Sequence, residues 1–234
     1  MCIRDRAEIT AAARSWDDDL RAIAGGAIDA DLVGAYAAAI PQAYKNERDP
    51  QAALSDVTVL AGLADGDHHV RLRAHTGGSD DRWTFGLYLC GRSASLTAIL
   101  PMLQSLGVEV LDEHPFAVTR PDGIGCWIYE FTIVPAAGVS LASESTDDLT
   151  TRFTDAFSRL WTGVADVDPF NELVIRCGLT WREVVMLRAY SRYLRQCGFS
   201  SGARHVTGVL GDHPAIVDGD VVIEAPKALL VSNN

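Results

Sequence analysis

The sequence predicts an α+β fold, in which one small antiparallel sheet lies between two helical segments of the chain. Apolar residues recur every three or four positions in the first 64 residues and again after residue 146. Between residues 70 and 133 they alternate with polar residues, and short runs rich in glycine and aspartate interrupt the alternation. The first period is typical of amphipathic helices and the second of half-buried strands. We therefore expect a sheet module with helices before and after it.

The N-terminal residues are predicted to be helical. An alanine-rich helix is expected from Ala7 to Ala24, where a glycine pair ends it. Asp29 is the expected N-cap of a second helix, which ends near Pro41. The charged stretch YKNERDP at 44–50 is predicted to be a turn and a boundary, and residues 51–64 form a further short helix.

The middle of the chain alternates between strand and helix signals. Strand-like stretches, each bounded by turn residues, are found at Val70–Ala74, Trp83–Leu89, Val108–Leu111, Phe116–Val118 and Cys126–Ile133. A helix capped by Thr97 separates the second stretch from the third, and another helix starts at Asp147. Strand, helix, strand, strand, helix is the order of a ferredoxin-like module. We expect its sheet to be antiparallel, with the helices on one face.

The stretch from Pro169 to Phe199 is predicted to form two helices separated by Gly178. Asp168 followed by proline is an N-cap signal for the first helix. Thr180 and Glu183 have the spacing of a capping box, in which each side chain binds the backbone N–H of the other residue. A poor helix is expected in residues 200–214, which follow.

The second of these helices is predicted to have a core face and a basic face. The predicted core face consists of Met186, Leu187, Tyr190, Tyr193, Leu194 and Cys197. A solvated surface is the ordinary interpretation of the basic face, but its first turn is apolar, which favours a surface that docks a partner. The candidate interface residues are Trp181, Arg188, Arg192 and Arg195.

Composition limits the possible functions. The formal net charge of −11 makes nucleic acid and anionic lipid poor partners. No apolar run is long enough to span a membrane, and the opening MCIRDR lacks the apolar core of a signal peptide. The five cysteines form no CxxC pair, so free thiols in the cytoplasm are expected.

Several stretches of the chain resemble the large bacterial NAD-dependent glutamate dehydrogenases. They are Ser15–Leu20, Ala43–Lys45, Leu96–Val118, Cys126–Phe131 and Phe170–Phe199. The resemblance places the chain in the non-catalytic region before the catalytic domain, where ACT-like modules and helical segments lie. It implies that the parent enzyme oxidatively deaminates L-glutamate to 2-oxoglutarate and ammonia with NAD. The opening MCIRDR and the tail after Ile216 depart from the family pattern.

The resemblance and the element pattern together predict the domain organisation. Residues 1–50 are a helical segment, 51–135 an ACT-like module, 136–216 a helical segment and 217–234 a tail of doubtful structure. The expected partners are the catalytic region of the same enzyme and neighbouring subunits of a homo-oligomer. A stand-alone amino-acid-sensing module is the alternative, and an autonomous enzyme is a third class.

No residues are assigned here to catalysis, cofactor binding or metal binding. A hydride-transferring enzyme needs a glycine-rich turn between a strand and a helix for the pyrophosphate, and a lysine beside the substrate carbonyl. Such a turn is not found, and the two lysines, Lys45 and Lys227, lie in poorly structured contexts. NAD is therefore expected to bind elsewhere in the parent enzyme.

One loop is a candidate for binding a small effector. In ACT-like modules the turn between the first strand and the first helix often holds an amino acid. The corresponding residues here are Gly91, Arg92, Ser93, Ala94 and Ser95. The guanidinium of Arg92 can pair with a carboxylate, and small neighbours let backbone amides approach a ligand. An ordinary tight connection is the alternative.

Overall fold

The computed structural model of the chain describes residues 15–25, 29–74, 82–136 and 146–213. The predicted helix start at Ala7 and the predicted tail 217–234 lie outside these residues. The helices that are described are α1 (Trp16–Ala24), α2 (Ala30–Ala39), α3 (Gln42–Glu47), α4 (Pro50–Gly62), α5 (Leu96–Ser105), α6 (Thr146–Trp161), α7 (Leu173–Arg176), α8 (Trp181–Gln196) and α9 (Ala203–Asp212). The strands are β1 (His68–Ala74), β2 (Trp83–Cys90), β3 (Val108–Thr119) and β4 (Gly125–Pro135), and a 3₁₀ turn covers Pro169–Glu172.

The four strands form one antiparallel sheet in the order β1-β2-β4-β3, which confirms the predicted α+β, ACT-like fold class. A tight turn joins β3 to β4, where the N–H of Arg120 donates to the carbonyl of Ile124 at 2.8 Å. Gly123 in this turn has a φ of 87°, a value that glycine adopts without strain. In a ferredoxin-like module the fourth strand follows the second helix. In this chain β1 completes the sheet from the N-terminal side instead.

The described residues divide into two compact units. The first comprises residues 15–69, 87–93 and 114–129. Its core is a cluster of helical and strand residues that includes Leu20, Tyr36, Tyr44, Leu60, Tyr88, Phe116 and Ile128. Within this core the carboxylate of Asp56 accepts hydrogen bonds from the hydroxyls of Tyr44 and Tyr88, each at 2.6 Å. Burial, with the negative charge of Asp56, raises the pKa of Tyr44 above its ordinary value, so this phenol stays a donor.

The second unit comprises residues 70–74, 82–86, 94–113, 130–136 and 146–213. Aromatic side chains hold α6 on the sheet, since the ring of Phe85 lies 5.9 Å from that of Phe153 and 4.6 Å from that of Phe157. Helix α7 packs with α8 and with α9, and all three helices contact the 3₁₀ turn. This packed group of short helices positions the surface described below.

Several predicted boundaries are confirmed and others are wrong. Asp29 caps α2 as predicted, accepting from the N–H groups of Asp31 and Leu32. Ser15 is the N-cap of α1 with a complete capping box, so α1 begins at Trp16. Residues 44–50, predicted to be a turn, contribute most of α3 because burial of Tyr44 outweighs the weak local propensity.

Other corrections concern the sheet. Helix α5 begins at Leu96 after Ser95, not after Thr97. The two predicted strands of 108–118 are one continuous strand, β3. The expectation that the helices lie on one face of the sheet stays a prediction.

The predicted free thiols are only partly confirmed. Cys90 and Cys126 form a disulfide between the adjacent strands β2 and β4, so the expectation is wrong for this pair. Their proximity depends on strand pairing, which sequence spacing does not reveal. Cys177 and Cys197 are free. Among the described residues, none of the helices combines the length and apolar character needed to cross a membrane.

Candidate interaction surface

Helix α8 is the element that carries the candidate interface. Its predicted capping box is present: the N–H of Glu183 donates to the hydroxyl of Thr180 at 3.4 Å, and the Glu183 carboxylate accepts from the N–H of Thr180 at 2.7 Å. The residues that α8 buries are Val184, Leu187, Arg188 and Ser191. These positions lie three or four residues apart, so they form one inward face of the helix.

Arg188 is buried within the second unit and is only 4% exposed. Its Nε donates to Asp168 Oδ2 at 2.6 Å, and one terminal nitrogen donates to Asp168 Oδ1 at 3.0 Å. That nitrogen also donates to the side-chain oxygen of Asn171 at 2.9 Å and lies 3.3 Å from the carbonyl of Asp166. Asn171 in turn donates to the hydroxyl of Ser105 at 3.1 Å. This bidentate pairing therefore joins α8 to the 3₁₀ turn and, through Asn171, to α5.

The remaining candidate interface residues lie nearer the surface. Arg192 pairs with Asp166 at 2.7 Å, but both side chains are about 60% exposed, at 63% and 60%. Arg195 is exposed and lies beside Arg192 along a shallow pocket. Trp181 is half-buried, with the guanidinium of Arg159 5.1 Å from its ring centroid. The three arginines thus have different roles: Arg188 stabilises the packing of α8, whereas Arg192 and Arg195 are exposed to solvent.

The predicted assignment of the two faces of α8 is wrong for most of its residues, although Leu187 is buried as predicted. Apolar residues placed in the predicted core are exposed instead, with 48% exposure for Met186, 40% for Tyr190 and 63% for Tyr193. Arg188 faces inward, toward Asp168, so these side chains on the opposite side of α8 face outward. We call Met186, Tyr190 and Tyr193 the outer stripe. A groove of about 350 Å³ runs beside it, lined by residues that include Val164, Val185, Ala189, Arg192 and Gln196.

The first three residues of the candidate effector loop, Gly91 to Ser93, belong to the first unit. Gly91 has a φ of 83°, and its N–H donates to the carbonyl of Gly125 at 2.8 Å. A carboxylate oxygen of Asp65 lies where a side chain at Gly91 would begin, only 1.9 Å from an ideal Cβ. Arg92 and Ser93 are exposed. The amide of Gly91 is therefore already engaged by the fold and is not open to a ligand.

Ser95 ends this loop and precedes α5. Its hydroxyl is within 2.9 Å of the hydroxyl of Thr97 and makes no capping hydrogen bond to the helix backbone. Ser95 is also exposed. Its hydroxyl therefore lies on the accessible side of the loop.

Comparisons with known proteins agree with the fold and with the helical region around α8. A family model described as "Glutamate dehydrogenase, ACT3 domain" matches residues 67–146, and one described as "Glutamate dehydrogenase, helical motif 3" matches residues 165–221. An NAD-specific glutamate dehydrogenase of Mycobacterium tuberculosis is 45% identical over 224 residues, or 92% of this chain. The chain belongs to the NAD-specific glutamate dehydrogenase family. The resemblance described from the sequence is thereby confirmed.

Two further members of the family show similar coverage of this chain. The NAD-specific glutamate dehydrogenase of Halomonas elongata is 34% identical over 87% of this chain, and that of Pseudomonas aeruginosa is 28% identical over 89%. The chain spans about 13% of the length of each of these curated relatives and of the mycobacterial one. It corresponds to the non-catalytic N-terminal portion of the family's enzyme, and a stand-alone sensing module is not favoured.

Sequence reasoning missed the roles of Asp168 and Asn171 in this surface. Asp168 was identified only as an N-cap, which it is, since it accepts from the N–H of Phe170 at 3.0 Å. The same carboxylate also holds Arg188, 20 residues further along the chain. An acidic N-cap followed at a distance by an arginine within an apolar stretch is the available signal, but it is a weak one.

Proposed function

We propose that this chain is a regulatory and assembly segment of an NAD-dependent enzyme that oxidatively deaminates L-glutamate to 2-oxoglutarate and ammonia. The observation that supports this most directly is that two family models, for the ACT3 domain and for helical motif 3, match successive parts of the chain. The chain spans only about 13% of the length of its relatives. NAD belongs, in this proposal, to the catalytic region of the parent enzyme. The segment acts through contacts with that region and with neighbouring subunits of a homo-oligomer.

The contact proposed for the basic side of α8 involves Trp181, Arg192 and Arg195. Arg188 supports it indirectly, because its buried pairing with Asp168 holds the helix in place. Exposed charges of this kind mainly steer association and select an acidic partner surface. Each exposed pair would contribute about 0 to 1 kcal/mol, and more if assembly excludes water from it.

A chimera tests the contact. The matching segment of the mycobacterial relative is replaced by this chain, and Arg192 and Arg195 are both changed to glutamate. Reversing the charges is expected to weaken assembly and glutamate-dependent NAD reduction, measured by sedimentation velocity and absorbance at the NADH band. The control carries glutamate at Arg21 and Arg204, which are exposed on α1 and α9. Normal assembly and turnover of the Arg192/Arg195 variant would refute this contact.

A second proposal concerns the loop Gly91 to Ser95, which would bind the carboxylate of an amino-acid effector. Exposure of Arg92 supports it, while Ser93 and Ser95 offer hydroxyls. Isothermal titration of the chain with L-amino acids should give heat that disappears in Arg92→Ala and persists in Arg71→Ala. An equal response of the native protein and Arg92→Ala would exclude this loop.

We also propose that the parent enzyme is cytoplasmic, on the basis of its NAD chemistry and of the free Cys177 and Cys197. In that reducing compartment the Cys90–Cys126 disulfide of the structure is expected to be reduced to a dithiol. Alkylation in freshly lysed cells followed by peptide mass spectrometry measures this. Recovery of the pair mainly as a disulfide would count against a cytoplasmic location.

A further inference from the structure

The outer stripe of α8 is an apolar surface with a regular spacing. Met186, Tyr190 and Tyr193 lie at positions i, i+4 and i+7 of the helix, and Cys197 follows four residues later. This spacing places them above one another on one side of the helix, which is the pattern of a seam between two packed helices. Tyrosine and methionine are enriched at such contacts. These three exposed side chains are neighbours on one side of the helix, unlike single apolar residues scattered over a surface.

The outer stripe cannot turn inward, because the opposite face of α8 is already packed within the second unit. The bidentate pairing of Arg188 and the buried side chains of Val184 and Leu187 hold the opposite face against the fold. Helix α8 therefore has one face packed within the unit and a second face built for packing. A helix with two such faces lies between two layers.

We propose that a helix from the rest of the same polypeptide packs on the outer stripe. The chain spans about 13% of its relatives' length, so most of a family polypeptide lies outside it. A covalently connected segment also has a high effective concentration, which favours an intramolecular contact over one with a separate molecule. This inference rests on the proposed assembly function and names the surface and the partner.

A second copy of this chain is the competing occupant, and the experiments below distinguish the two. Arg192 and Arg195 lie away from the stripe at 100° per residue, and Arg192 already pairs with Asp166. Arg182 is the exposed charged residue of α8 that lies nearest to the stripe. A helix with apolar residues at the same spacing and a carboxylate opposite Arg182 complements the surface. That is the chemistry we assign to the partner helix.

The thiol of Cys197 provides a native probe of this contact, because it is exposed and lies one turn beyond Tyr193. N-ethylmaleimide labelling is followed by peptide mass spectrometry in the 234-residue chain and in the mycobacterial chimera. Docking is expected to slow labelling of Cys197 in the chimera by about tenfold or more, since thiol reactivity depends on access. A cysteine introduced at the exposed Thr58 of α4 is the control and should label at comparable rates in both proteins.

A double variant, Met186→Ser and Tyr193→Ser, supplies the second measurement. Both side chains are exposed, so the change should leave the isolated chain folded, yet it should restore fast labelling of Cys197 in the chimera. Equal labelling of Cys197 in the chain and the unmodified chimera would overturn the proposal. The proposal would also be overturned if the isolated chain formed a dimer and the double variant did not. That result would assign the stripe to a second copy of the chain.

These outcomes separate the inference from the function on which it rests. If Cys197 stays reactive in a chimera that assembles and reduces NAD normally, the inference fails and the assembly function stands. If deletion of the whole segment leaves assembly, turnover and regulation of the relative unchanged, the proposed function fails. The labelling result then shows only whether the surface is covered.

Discussion

Replacing Arg188 by alanine should destabilise the chain much more than the same change at Arg192. Both arginines lie on α8, four residues apart, and each pairs with an aspartate of the preceding segment. They differ in burial, because the Arg188 side chain is 5% exposed and that of Arg192 is 63% exposed. The comparison therefore contrasts a buried arginine that makes several contacts with an exposed arginine that makes one ion pair.

The expected magnitude follows from the contacts. Removing one partner of a buried ion pair costs about 3 to 5 kcal/mol, because the remaining charge loses its compensation. Asp168 is 24% exposed and keeps the N–H of Phe170, so we expect the lower end of that range. The loss of about 3 kcal/mol corresponds to a fall in melting temperature of about 6 to 12 °C for a domain of this size. Arg192→Ala should cost about 0 to 1 kcal/mol, as exposed pairs do.

The assay is thermal and urea unfolding of the two variants and the parent chain, followed by circular dichroism. Urea midpoints are compared at equal slope, so that a change in cooperativity is not mistaken for a change in stability. The reasoning would be refuted if Arg188→Ala unfolded within about 1 °C of Arg192→Ala, since burial would then contribute nothing measurable.

Three other changes have expected outcomes. Tyr44→Phe removes one of the two hydroxyls that Asp56 accepts from and should lower the free energy of unfolding by about 1 to 3 kcal/mol in urea titrations; an unchanged midpoint would contradict it. Gly91→Ala should lower the free energy of unfolding more than Gly123→Ala does in the same assay. Both glycines have a positive φ, but of these two only Gly91 has a carboxylate at the place where the new Cβ would lie. Burial raises the pKa of the Cys177 thiol to about 11, so its alkylation should be slow at pH 8 and rise with pH until about pH 11; a rate that levels off near pH 9 would disprove the shift.

Local signals predicted much of the secondary structure. The N-cap at Asp29 and the capping box of Thr180 and Glu183 act over three residues, so the residues themselves specify them. The alternation in β2 and β4 likewise located both central strands of the sheet. The error at residues 44–50 has the opposite origin. Charged and turn-forming residues there are helical because Tyr44 reaches a partner 12 residues away.

Helix α8 and its cap were predicted correctly, but its two faces were not, and the candidate interface on it stays a prediction. Every position of α8 could be ranked by polarity, and polarity places arginine outside and tyrosine in the core. The structure reverses this at Arg188 and Tyr193. Asp168, Asn171 and the carbonyl of Asp166 together make four hydrogen-bonding contacts with the buried guanidinium of Arg188. The candidate effector loop, Gly91 to Ser95, and the predicted domain boundaries stay predictions.

The sequence by itself determined the family, the fold class and the places where most helices and strands begin. These depend on residues close together in the chain, whose caps and periodicity act before any distant contact forms. Only the tertiary structure decided which side of α8 faces inward, which cysteines pair and how β1 completes the sheet. Each of these depends on groups brought together from distant parts of the chain, as with the 20 residues between Asp168 and Arg188. A burial pattern read along one helix does not contain that information.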